Sequence, residues 1–62
     1  MTISFTEKDL TLYLQRIEGF SVWTPMKELA QKYQHRFDAE KDIEALKKMG
    51  GMHLKYEYKI NE

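Results

Sequence analysis

The chain has 62 residues, ten Lys plus Arg against ten Asp plus Glu, zero formal net charge and no cysteine. Without cysteine it has no disulfide or thiolate metal site to brace it. A neutral chain also lacks the overall cationic character behind strong non-specific nucleic-acid binding. Its 42% hydrophobic and 32% charged composition suits one small globular domain over residues 1–62, of a size that hides only roughly 60% of its unfolded-state surface. Dimerisation could supply missing core. No basic region followed by an apolar stretch marks a secretory signal, and no apolar run reaches bilayer-spanning length. A cytoplasmic protein with no membrane contact is expected.

Residues 1–5 read as an extended lead with Ile3 and Phe5 on one side. Thr6 reads as an N-cap, with Asp9 in the acid position of a capping box and Phe5 and Leu10 as a hydrophobic staple. The spacing then predicts a first helix from Glu7 to Glu18, with Leu10, Tyr13, Leu14 and Ile17 as its apolar stripe and Gly19 as its stop. Leu12 falls off that stripe. Phe20 to Trp23 is a short β-prone run with Phe20 and Val22 on one face.

Thr24-Pro25 is a helix-start signal, because proline lacks the amide hydrogen that the first helical position does not need. It predicts a second helix to Gln34, with Met26, Leu29, Ala30 and Tyr33 inward. Asp38 is a plausible cap for a third helix, with Ala39, Ile43, Leu46 and Met49 inward, Lys47 and Lys48 in the last turn, and Gly50-Gly51 as the end. Met52, Leu54, Tyr56, Tyr58 and Ile60 then alternate with polar residues at the strand period of two. The run Phe20–Trp23 is the best internal partner for this tail, and Ile3–Phe5 is the alternative. The expected fold is α+β, with three helices packed on a two- or three-stranded antiparallel sheet.

The stretch TPMKELAQKY, followed after a gap by AEKDIEALKKMGG and a strand, resembles the winged helix-turn-helix superfamily over about Asp9 to Ile60. The resemblance implies that Thr24–Ala30 opens the first helix of the helix-turn-helix. It makes Ala39–Met49 a recognition helix and has Gly50-Gly51 lead to a wing, here clipped to one strand. A DNA-binding regulator of this kind would bind duplex DNA as a dimer. Lys32, Arg36, Lys41, Lys47, Lys48 and Lys55 would meet phosphates, with Lys41 and Glu44 near the bases. Against this, Asp38, Glu40, Asp42 and Glu44 outnumber Lys41, Lys47 and Lys48.

His35 and His53 stand far apart with no metal-ligand spacing, and Ser4 and Ser21 lie in no nucleophile motif. No enzyme activity, metal or cofactor is expected. The favoured reading is a small regulator or inhibitor that binds another protein through Trp23, Tyr33, Arg36 and Phe37. An open edge of the terminal strand could pair with a partner strand or a second copy, giving a homodimer.

Overall fold

The sheet begins at the first residues of the chain. In the computed structural model, which describes residues 1–48 and 56–62, β1 runs Thr2–Glu7, β2 Leu10–Ile17 and β3 Phe20–Thr24. A 3-10 turn at Lys27–Leu29 leads to helix α1, Arg36–Lys48, and β4 is Lys59–Asn61. The four strands form one antiparallel sheet in the order β3-β2-β1-β4.

Two tight hairpins build the meander. Glu7 pairs with Leu10 and Ile17 pairs with Phe20, so each turn has two central residues. At the second turn both Glu18 (φ 50°) and Gly19 (φ 85°) are left-handed, the type I′ arrangement whose twist suits flanking strands. Glycine adopts this freely, whereas glutamate is strained there. At the first turn Lys8 is left-handed as well (φ 56°).

Alternation then sorts the side chains. Leu12, Leu14 and Arg16 of β2, Ile3 and Phe5 of β1, Trp23 of β3 and Ile60 of β4 face the helix layer. Ile3 and Leu14 are fully buried with Ala39 and Leu46 of α1, and Trp23, Tyr33, Ile43, Tyr58 and Ile60 pack around them. Fully hiding a side chain such as Ile3 or Leu14 contributes about 1.5–3 kcal/mol.

The winged helix-turn-helix resemblance and the three-helix fold are therefore wrong. Among the described residues α1 is the one helix longer than a turn, and it lies against a four-stranded antiparallel sheet. The expected first helix is mostly β2. Leu10, Leu12 and Leu14 satisfy the strand period as well as Leu10, Tyr13, Leu14 and Ile17 satisfy the helical one. Pairing on both sides of β2 decides between them. Thr6 caps no helix; its Oγ1 lies 2.9 Å from that of Thr11 across the β1–β2 ladder.

The expected second helix shrinks to the 3-10 turn. Thr24 Oγ1 does accept a hydrogen bond from Met26 N (3.1 Å), but this is a local turn and not a helix cap. Beyond it Ala30 is extended, and the chain bonds the rest of the sheet instead of itself. Gln31 N donates to the Leu14 carbonyl (2.8 Å), Tyr33 N donates to the Met1 carbonyl (2.8 Å), and the Met1 ammonium donates to the Tyr33 carbonyl (3.0 Å).

The third expected helix is present as α1, with Ala39, Ile43 and Leu46 inward as read. Its first turn closes on the His35 carbonyl, which accepts from Asp38 N at 3.1 Å, so Asp38 lies inside the helix and does not cap it. The tail pairs with β1, the alternative partner, through Ile3–Ile60, and not with Phe20–Trp23, and of its described residues only Lys59–Asn61 is strand, the expected strand positions Tyr56 and Tyr58 lying before it. Met49, Gly50-Gly51 and the strand start at Met52 lie outside the described residues.

Two stability outcomes follow from this arrangement. Leu14→Ala should cost about 2–5 kcal/mol, enough to unfold a large fraction of so small a domain, read by urea denaturation. Glu18→Asn should raise stability by about 0.5–1 kcal/mol by relieving the left-handed glutamate, read as a higher midpoint at unchanged slope.

Candidate functional site

One helix covers one face of the sheet, and the other face carries Thr2, Ser4, Thr6, Thr11, Tyr13, Gln15, Ile17, Phe20, Val22, Thr24, Lys59 and Asn61. Its β1–β4 half is polar and satisfied. Asn61 Nδ2 donates to Ser4 Oγ (2.8 Å) and Thr2 Oγ1 (3.4 Å), and Thr2 and Ser4 are buried beside it. The β2–β3 half is apolar and wet. Phe20 is 73% exposed, Ile17 48% and Val22 36%. Ile17 stands directly opposite Phe20, and Val22 lies two residues along the same face. The three form one patch at a corner of the sheet.

That corner is also a sheet edge. In a two-residue hairpin the residues flanking the turn exchange hydrogen bonds, so Phe20, Val22 and Thr24 bond to β2. Ser21 and Trp23 therefore aim their N–H and C=O groups away from the sheet, and no described residue bonds them. The strand FSVWT carries no charge and no proline. The opposite edge, β4, is three residues long, includes Lys59 and lies between Glu57 and Glu62. Shortness and charge are common devices for protecting an edge, and β3 has neither.

The helix face holds an aromatic cluster. Phe5 stacks on Tyr56 (centroids 4.1 Å apart) and meets Trp23 (4.7 Å) and Tyr58 (6.0 Å) edge-on, and Trp23 stacks with Tyr58 at 5.7 Å. Trp23 is thus half-buried core on the side away from the open patch. Burial, with the nearby Tyr56, raises the Tyr58 phenol. Tyr56 is raised by desolvation and by Glu7, through charge and a hydrogen bond.

Tyr33 is also structural. Its hydroxyl donates to Asp42 Oδ2 (2.5 Å), the same oxygen that pairs with Arg16 Nη2 at 3.2 Å. The three side chains tie the 30–35 link, α1 and β2 together. Burial pushes the Tyr33 phenol above its ordinary value, and the Asp42 bond and charge push it further, against a smaller opposing effect of Arg16.

The other expected contact residues lie on the solvent side of α1. Arg36 pairs with Glu40 (3.7 Å) and Glu62 (3.8 Å). Phe37 is 68% exposed, with Lys41 Nζ 5.9 Å from its ring centre. Phe37, Glu40, Lys41 and Glu44 line a shallow recess of about 170 Å³, and Phe5, Thr6, Glu57, Tyr58 and Lys59 line one of about 240 Å³. Both are smaller than the roughly 300–1,000 Å³ of small-molecule sites. Trp23 and Tyr33 therefore join the core, while Arg36 and Phe37 stay outside on the helix, and the four do not make one surface.

The DNA-binding set fares no better. Lys32 Nζ donates to the Lys27 carbonyl (3.4 Å), and Lys41, Glu44, Lys47 and Lys48 are exposed on α1. Lys55 lies outside the described residues. With the 25–34 helix absent there is no helix-turn-helix to present α1 to a groove, and the DNA-binding assignment built on it is withdrawn. Among the described residues no three His, Cys, Asp or Glu side chains converge as metal ligands, and no helix is long and apolar enough to cross a membrane. Comparison with protein-family models, curated proteins and solved structures finds no match.

Sequence reasoning placed Phe20 and Val22 on one face but assigned Ile17 to a helix core. The signal for the patch was Glu18-Gly19 between two β-prone runs, a hairpin turn read as a helix stop.

The Tyr33 linkage has a defined sign. A phenol held above its ordinary value of 10.0 adds stability that is complete below that pH and is lost as pH rises through the folded value. Tyr33→Phe should cost roughly 1 kcal/mol near neutrality, allowing for its partial exposure. It should also flatten, without abolishing, the alkaline loss of stability, because Tyr56 and Tyr58 are raised too. Urea melts at neutral and alkaline pH read both effects.

Proposed function

We propose that the chain is a small non-enzymatic binding module, a regulator or inhibitor that docks another protein on the apolar corner of its open sheet face, and that it acts in the cytoplasm. The observation that carries this reading is the patch of Ile17, Phe20 and Val22, which share the exposed face of the paired strands β2 and β3. A solvent-facing phenylalanine flanked by aliphatic side chains is costly to leave wet, and at 73% exposed Phe20 has no packing role among the described residues. Covering it on a partner releases about 1.5–3 kcal/mol for the ring, the scale of a binding hot spot. The hydroxyl-rich half beside it supplies a polar rim, and zero net charge imposes no preference for a strongly charged partner.

The binding surface in this reading replaces the set Trp23, Tyr33, Arg36 and Phe37. Phe37, the other strongly exposed aromatic, stands among charges on α1 and serves as the control. Crosslinked capture from a lysate of the source cells, quantified by mass spectrometry, tests the assignment. Phe20→Ser should reduce capture of the main partner at least tenfold, corresponding to about 1.4 kcal/mol, while Phe37→Ser leaves it unchanged. Equal capture by Phe20→Ser and the native chain, or no specific partner at all, would contradict it.

A further inference from the structure

We infer that the outer edge of β3, which no described residue bonds, pairs with the same edge of a second copy, in an antiparallel register centred on Val22, to join two four-stranded sheets into one. The inference concerns the edge of the strand, whereas partner docking concerns its face, so either can fail while the other stands.

The register follows from the backbone. Ser21 and Trp23 present the outward N–H and C=O groups of β3. A two-fold axis through Val22 sets Ser21 opposite Trp23 of the second copy and Trp23 opposite its Ser21. Each pair exchanges two hydrogen bonds, and every outward group of the strand's interior is used. Shifting the axis by half a residue would bring inward-bonded groups of Phe20, Val22 or Thr24 to the seam, and shifting it by a whole residue would set Trp23 opposite Gly19 of the turn or Ser21 opposite Pro25, which has no N–H to give. The sequence of β3 is therefore self-complementary in one register, as an isologous interface requires.

The side chains agree with this placement. Val22 meets Val22 in the closely spaced, non-hydrogen-bonded position, where β-branched pairs are favourable. Phe20 lies opposite Thr24 on the same open face. No charge lies within FSVWT to oppose a like charge across the seam. Glu18 lies before the strand and Lys27 after it, so the two-fold brings opposite signs toward each other at both ends. Zero net charge leaves no long-range repulsion between copies. The two patches of Ile17, Phe20 and Val22 then fall on the same side of one continuous sheet. A seam five residues long is small beside a standard interface, so the copies exchange reversibly.

Sedimentation at chain concentrations up to about 1 mM tests the pairing. The native chain should approach twice its 7.5 kDa mass as concentration rises. Val22→Lys keeps its side chain on the solvent side of the sheet but sets two like charges face to face, and should weaken association at least tenfold. Val22→Glu should do the same, and an equimolar mixture of the two should recover the double mass. Ser21→Pro removes an outward N–H without touching the β2–β3 bonds and should weaken association in a chain whose circular dichroism matches the native. Single-chain mass for the native protein at the highest concentration, native-like association of Val22→Lys, or no recovery in the mixture would overturn the inference. A native chain that stays single yet still loses its partner on Phe20→Ser would sink the pairing and leave the docking face intact.

Discussion

The packing of Ile3 and Leu14 beneath Ala39 and Leu46 is the contact on which the rest of the structure depends. It joins the two inner strands to the helix, and the small side chain of Ala39 lets the helix approach the sheet closely. It also uses the helix completely. A thirteen-residue helix has one inward stripe and can cover one side of a sheet. Everything on the other side must be acceptable to water or be covered by something else.

The two halves of that other side meet the demand differently. Around β1 and β4 the side chains on that face are hydroxyls, an amide and Lys59, with Thr2 and Ser4 buried and bonded by Asn61, so the face is chemically closed there. Around β2 and β3 there is no such provision, and a phenylalanine, an isoleucine and a valine stand in solvent. The polar contacts that fix the helix are arranged apart from this corner. Asp42 of α1 receives Tyr33 and Arg16, and the chain start is held by Tyr33. The exposed Arg36 pairs add little to stability. The rest of the domain thus acts as a base on which the β2–β3 hairpin presents a face and an edge that no described residue covers.

Much of α1 was legible in the sequence because its charged and apolar residues leave no competing period. The terminal tail was legible only in part, since Lys59–Asn61 is a strand but residues 56–58 are not, and its neighbour Ile3–Phe5 was weighed only as the alternative to Phe20–Trp23. The β2 segment was not, because LTLYLQRI fits two periods at once and a capping-like Thr6 with an acid three residues on tipped the reading toward helix. Leu12, the residue left off the helical stripe, was the informative one. As a strand position it joins Leu10 and Leu14 on one face. Thr24-Pro25 misled through chemistry that is real but local, since the threonine does accept an amide hydrogen bond, only in a turn. What decides both segments is long-range pairing of β2 with β1 and β3 and of residues 31 and 33 with Leu14 and Met1, which no window of the sequence contains. The interaction surface was missed with the fold. A patch made of Ile17, Phe20 and Val22 exists only once Glu18-Gly19 is a hairpin turn.

The central claim is that the sheet has one dry face and one wet face, and a soluble paramagnetic probe tests it directly. Methyl resonances of the native chain should divide by face, with Ile17 and Val22 strongly broadened by the probe and Ile3, Leu14 and Leu46 unaffected. Similar broadening for both groups, or protection of Ile17 and Val22 in the isolated chain, would contradict the one-sided sheet.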